Sequence, residues 1–329
     1  MKPESGALQP REANDTETNV DANAPRQKTP ARPMRIPCLS ISALFNRTPG
    51  QVLLIAGAIL AVYGPAFNPE RTFSGMDFIN LLYPHAVVAR RAFAEGAVPL
   101  WNWYNWGGSP FLAPMQAAVL YPPTWLTLLF PLPWGLQLGV LAHLVLAGWG
   151  AGRLAVRHFG VSAPCSLYGA IAYAAGGFLF GHLEQLNSVA SIAWTPWIIS
   201  AGLDILTPHG RVLPFVLCCS MALLAGHPQY LALTGLFLGL MIAVRMAAKQ
   251  LPERKTPGRE DETAEGKRPA ARRLPMLAAA ALVAGALSAA QLLPTRELAQ
   301  LSERVWPYPD PHDPALRAGI RAAGNEVAR

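Results

Sequence analysis

The chain has 329 residues, of which 52% are apolar and 14% charged, with a formal charge of +7; an ordinary soluble domain carries roughly 25% charged residues. Of the charges, 12 fall in residues 1–48, 14 in 245–273 and 10 in 296–329, leaving 11 for the other 218 residues. So few charges cannot cover a globular surface of this size, which excludes a soluble enzyme and indicates a polytopic membrane protein. The basic residues flank apolar segments, so they read as membrane anchoring, and no nucleic-acid partner is expected.

Residues 1–48 are rich in Pro, Ala, Asn, Arg and Lys without apolar periodicity and are predicted to form a disordered cytoplasmic tail. The first apolar run starts near Val52, too far in for a typical cleaved signal peptide, and reads as a signal anchor. A spanning helix needs about 20 mainly apolar residues. Such runs occur at about 49–67, 134–153, 164–182, 187–206, 212–227, 229–248 and 274–294. The fifth is short, and Gly226-His227-Pro228 turns it into the sixth. Tyr121 to Pro133, broken by four prolines, reads as an interfacial or re-entrant piece. The predicted fold is therefore an all-α, polytopic membrane helix bundle of about seven spans, with a long first outer loop (about 68–133) carrying interfacial helices. A transmembrane domain over 49–295 would include a flexible cytoplasmic loop at about 249–273, and a polar stretch at 296–329 would lie outside. Cys38, Cys165, Cys218 and Cys219 form no CxxC pair, so neither a disulfide framework nor a zinc site is expected.

Orientation follows from Lys and Arg. Seven basic residues precede the first span, Arg153 and Arg157 follow the second, Arg211 follows the fourth, and nine lie between Arg245 and Arg273. With the tail in the cytoplasm, all of these fall on the inner side. The outer side then receives Asp77, the loop Gly181-His182-Leu183-Glu184-Gln185-Leu186-Asn187, the turn at His227, and Arg296.

Ionisable groups at a membrane boundary are costly to place and are candidate functional residues. Asp77 precedes Phe78, Leu81, Leu82, Val88 and Phe93, spaced as for an amphipathic interfacial helix bent near Pro84. Two readings stand for its carboxylate: an N-cap for that helix, or a base that takes a proton from an acceptor hydroxyl or helps to hold a metal. Trp101-Asn102-Trp103-Tyr104-Asn105-Trp106 reads either as an aromatic belt at headgroup level or as a carbohydrate platform. His182 and Glu184 are two apart, unlike a helical metal pair, but could share a cavity from a loop. No Walker loop, GxSxG, HExxH or dinucleotide fingerprint occurs.

Several short segments together resemble the bacterial YfhO-like membrane protein family, a branch of the GT-C type glycosyltransferases. They are Asp77 with Tyr83-Pro84, Pro99-Leu100-Trp101-Asn102, Gly107-Gly108-Ser109-Pro110-Phe111, Tyr121-Pro122, Gly176-Gly177-Phe178, His182, and Leu186-Asn187. Further along come Ala193-Trp194-Thr195-Pro196-Trp197, Ala225-Gly226-His227-Pro228-Gln229 and Gln291-Leu292-Leu293-Pro294-Thr295. The resemblance covers about residues 50–300. It implies a GT-C like bundle in the bacterial inner membrane, with an essential acid in the first outer loop at the position of Asp77. It also implies a sugar donor carried on a polyprenyl phosphate. The family has proline where Trp103 stands, and its members run on for several hundred residues, so a C-terminally truncated chain is expected.

The implied reaction moves a sugar from the lipid phosphate to an envelope glycan or lipid acceptor. Asp77 would be the base, and Trp101 and Asn102 would line the sugar site. His182, His227, Arg90, Arg91 and Arg296 are the available groups for the leaving phosphate. Glu184 would bind sugar hydroxyls or assist a divalent metal, whose involvement stays open. These expectations require Asp77, the His182–Glu184 turn and His227 to meet at one outer pocket. A transporter or flippase, and a non-catalytic membrane protein or inactive fragment, are the rival readings.

Overall fold

The computed structural model describes residues 48–68, 70–105, 107–248 and 269–300. The expected tail as far as residue 47, the cytoplasmic loop as far as residue 268, the end of the chain from residue 301, Cys38 and Trp106 lie outside the described residues.

Helix α1 (Thr48–Tyr63) continues through a 3₁₀ turn, Gly64–Phe67. A loop leads to a π-helical turn, Phe78–Leu82, which runs into α2 (Tyr83–Ala94). A wide turn lies just before Pro84, where the bend was expected. Pro84 has no N–H to give the turn before it, and the neighbouring Tyr83 N–H bonds back to the Phe78 carbonyl in the wide spacing of that turn. A two-residue hairpin follows, β1 (Trp101–Asn102) with β2 (Ser109–Pro110), pairing Trp101 with Pro110 and Asn102 with Ser109. After a 3₁₀ turn at Met115–Ala117 come α3 (Pro122–Leu128) and the long α4 (Trp134–Phe159), which stops at Gly160 in a left-handed conformation. The remaining helices are α5 (Ala163–Ala174), α6 (Gly177–Gly181), α7 (Leu186–Ala193), α8 (Thr195–Ile205), α9 (Leu213–Leu224), α10 (Pro228–Ala248), α11 (Pro269–Arg272), α12 (Leu274–Leu287) and α13 (Ala289–Gln300).

The described chain is an all-α bundle apart from the small hairpin. Among the described residues four stretches are long and apolar enough to cross a membrane: Pro49–Phe67, Trp134–Phe159, Ala163–Gly181 and Pro228–Ala248. Helices α12 and α13 make a fifth if they count as one span bent by 74°. The run expected at 187–206 is instead two helices broken at Trp194. Pro196 has no N–H to offer the carbonyl of Ile192, which accepts from the Tyr173 hydroxyl at 3.3 Å. Helix α7 is buried along almost its whole length, including Asn187, Ser188 and Ser191, so protein rather than lipid surrounds its polar groups. The run expected at 212–227 is the 12-residue α9.

Two apolar cores are present. One joins α1, α2, α4 and α5 with Phe78, Phe111 and Val119 from the stretch between α1 and α3; the other joins α8, α9, α10 and α12. Ala118, Tyr121, Ala190 and Ala225 form a small cluster of their own. At the C-terminal end of α4, Arg157 pairs with Asp204 at 2.8 Å and Arg245 donates to the His158 carbonyl at 3.0 Å. Arg273 reaches the carbonyls of Ile205 and Pro208 nearby. At the other end of α4, Gln137 donates to the Arg71 carbonyl at 2.6 Å. The 20 residues from Gln137 to Arg157 separate the two ends by about 30 Å at 1.5 Å per residue.

Candidate functional site

Asp77 enters the site from the π-helical turn. Phe78, 2% exposed, locks that turn into the core with its ring edge-on to Phe73 at 5.7 Å. Asp77 itself has helical backbone angles and makes no capping hydrogen bond, so the N-cap role does not describe it. Its exposed carboxylate instead accepts a hydrogen bond from the Gln185 side-chain amide, across 108 residues of sequence. Gln185 is oriented in turn by the buried Ser188, whose hydroxyl donates to the amide oxygen at 3.0 Å. That leaves the amide nitrogen facing Asp77.

A cavity of about 300 Å³ opens beside this contact, lined by Asp77, Leu81, Gln116, Glu184, Asn187 and His227 among others. The Glu184 carboxylate lies directly against Gly75, in the space a Cβ would take. His227 is placed by the turn between α9 and α10. Gly226 there has φ +105°, and a Cβ on it would come within 2.5 Å of the Met115 carbonyl oxygen, so glycine is needed for both reasons. The His227 N–H donates to the Ser191 hydroxyl at 3.2 Å, and Gln229 donates its amide N–H to His227 Nδ1 at 2.8 Å. The neutral ring therefore carries its hydrogen on Nε2. Burial pushes the His227 imidazole below its ordinary range, with the charge of His182 acting the same way and the Gln229 bond and Asp77 opposing.

Two carboxylates, an imidazole and three side-chain amides thus border one polar hollow. The set can accept a proton, bind hydroxyls and donate to an anionic oxygen. Among the described residues no group of three or more His, Cys, Asp or Glu is placed to hold a metal ion.

The other expected site residues lie elsewhere. His182 stacks on Phe178 at 4.2 Å and donates Nδ1–H to the Phe178 carbonyl. It does not line the cavity. Arg90 donates to the Phe130 carbonyl at 3.3 Å, while Arg91 binds Glu95 and the Tyr104 hydroxyl. Arg296 is exposed on α13 and also stays outside the cavity. Trp101 borders a different hollow. Asn102 is 5% exposed, and its side-chain oxygen accepts the Tyr104 N–H at 2.9 Å, which makes it a turn-forming residue. Sequence separation hid these outcomes: residues expected on one side of a membrane can still occupy distinct parts of it.

Gln116, Gln185 and Asn187 belong to the cavity and were not expected there as ligands. Gln116 carried a weak signal, being the single amide in Ala113-Pro114-Met115-Gln116-Ala117-Ala118-Val119. Behind the cavity lies a relay of buried polar groups. Trp194 Nε1 donates to the Tyr121 hydroxyl at 2.9 Å, that hydroxyl donates to His143 Nε2 at 2.7 Å, and His143 Nδ1 donates to the Gly139 carbonyl at 2.7 Å. The carbonyl can only accept, which fixes the direction of the whole chain.

No protein-family model, curated protein or solved structure matches this chain.

Proposed function

We propose that this chain is a membrane glycosyltransferase of the YfhO-like, GT-C type. It would take a sugar from a polyprenyl-phosphate donor and transfer it to an envelope glycan or lipid on the outer face of the bacterial inner membrane. In this reading the chain has seven spans and a cytoplasmic N-terminus. The observation that supports it is the gathering of Asp77, Glu184 and His227, from three distant segments, around one cavity at the end of the bundle away from the Arg157–Asp204 cluster.

Asp77 takes the proton from the acceptor hydroxyl as its oxygen bonds to the anomeric carbon. The bond from that carbon to the phosphate oxygen breaks, and the electron pair leaves with the lipid phosphate. Gln185 holds the Asp77 carboxylate in place. Glu184 binds sugar hydroxyls. The leaving phosphate is met by His227 Nε2–H and the amides of Gln116 and Asn187, because Arg90, Arg91 and Arg296 lie outside the cavity.

The test is Asp77→Asn in a strain lacking the gene, with envelope glycans measured by mass spectrometry and protein abundance checked in the membrane fraction. The substitution keeps the Gln185 contact available while removing the base, and transfer should fall by about 10²–10⁴. Unchanged glycans at normal abundance would favour a non-catalytic membrane protein.

A further inference from the structure

A second hollow, about 380 Å³, lies between α2 and the aromatic loop. It shares no lining residue with the Asp77 cavity. We infer that this groove is a second saccharide site, which holds an uncharged stretch of the acceptor glycan while the reaction proceeds beside Asp77. The word acceptor rests on the transferase reading; the binding of glycan does not.

The groove is built in advance of any ligand. The β1–β2 pairing fixes Trp101, and its indole lies over Gly108, where a Cβ would sit 2.7 Å from Nε1. Gly108 also has φ +121°, so the loop requires glycine there. Asn102 closes the turn under Tyr104, and Tyr104 is tied to α2 by Arg91 at 2.7 Å. Trp101 and Trp103 stand 6.0 Å apart at 58°, giving two aromatic faces that are not parallel. Trp103 and Tyr104 remain 75% and 71% exposed, so most of their aromatic surface is uncovered by the described residues.

The chemistry points to sugar. Aromatic faces suit the C–H side of a pyranose, and a polar tip beside them suits its hydroxyls. Arg91 and Glu95 supply donors and acceptors at the groove wall, and their pairing leaves the wall nearly neutral. A bare cluster of cations would instead select a phosphate or carboxylate. The volume falls in the range of about 300–1,000 Å³ usual for small-ligand sites. The two hollows lie along one helical path, since Leu82 borders the first and Val88 the second. Six residues at 1.5 Å and about 100° each set the two borders about 9 Å apart along the helix and about 120° apart around it, so reaching both takes an oligosaccharide rather than a single sugar. Arg91 and Glu95 are charged and largely exposed, a combination that is costly among acyl chains and suits a wall in water.

The experiment uses the full chain in lipid nanodiscs, titrated with chitohexaose and with cellohexaose by calorimetry. Saturable binding of at least one glycan is expected, weakened at least about tenfold by Trp103→Ala and unchanged by Tyr168→Ala, which removes an exposed aromatic ring from α5 that borders neither hollow. Trp103 is so exposed that its removal leaves the fold intact, and far-UV circular dichroism checks this. Failure of both glycans to bind, binding indifferent to Trp103→Ala, or binding weakened as much by Tyr168→Ala would each overturn the proposal. So would blue-shifted emission from an environment-sensitive dye on Trp103→Cys, which would make the loop a headgroup belt. If glycan binds while glycan transfer is absent in cells, the groove stands and the transferase reading fails.

Discussion

Asp77 shows how one side chain can be read in two ways and how its neighbours remove one of them, the N-cap. Its carboxylate faces an amide from another helix, and the amide is itself aligned by the buried Ser188. Removing that hydroxyl with Ser188→Ala frees Gln185 to turn, and transfer is expected to fall about tenfold without loss of Asp77, measured as initial rate in membranes. Gly75 has a comparable indirect role. With no room for a Cβ beside the Glu184 carboxylate, Gly75→Ala must push that side chain out of its place. Misplacement of this order costs as much as about 10²-fold in rate, and Gly75→Ala should reproduce the defect of Glu184→Gln. If Gly75→Ala retains wild-type transfer, Glu184 is not a sugar ligand.

Helix α13 illustrates how an element with few apolar contacts still holds the site. Its buried Gln291 donates to the Leu112 carbonyl at 2.7 Å, and Thr295 donates to the Ala113 carbonyl at 2.7 Å. These bonds pin the loop that ends in Gln116, which borders the Asp77 cavity. Replacing Gln291 by Leu leaves a carbonyl unpaired, at a cost of about 1–3 kcal/mol. The expected signature is a lower unfolding temperature in detergent with faster amide exchange over residues 112–118. Tyr121→Phe acts on the relay between α3, α4 and the α7–α8 break, stranding His143 and Trp194. It should destabilise by a similar amount, read as a fall in the same midpoint. The motifs around Gln291 and Trp194 therefore have structural work that accounts for their presence without a ligand.

Across the bundle, the two ends of α4 differ in chemistry. One end carries the Arg157–Asp204 pair, Arg245 and Arg273; the other leads to Asp77, Glu184 and His227. Basic residues held at one end match the retention of Lys and Arg on the cytoplasmic side. Single cysteines in place of Glu184 and Arg211 should then label from opposite faces of sealed vesicles with an impermeant maleimide, Glu184→Cys from outside. Labelling of both from the same face would reverse the proposed orientation.

The sparsity of charge outside three segments was enough to read a helical membrane protein, because a surface facing acyl chains must be apolar whatever its packing. Counting basic residues between apolar runs also assigned Asp77, Glu184 and His227 to a common side, and the three do border one cavity at one end of the bundle. Their arrival in one cavity, the exclusion of Trp101 and the arginines from it, and the break of α7 from α8 were not legible in the sequence. A hydropathy pattern records how much of a segment is apolar. Which partner it meets depends on contacts such as Gln185 with Asp77, 108 residues apart, and Gln291 with Leu112, 179 apart. Those pairings exist only once the helices pack, and they decide where the polar groups converge.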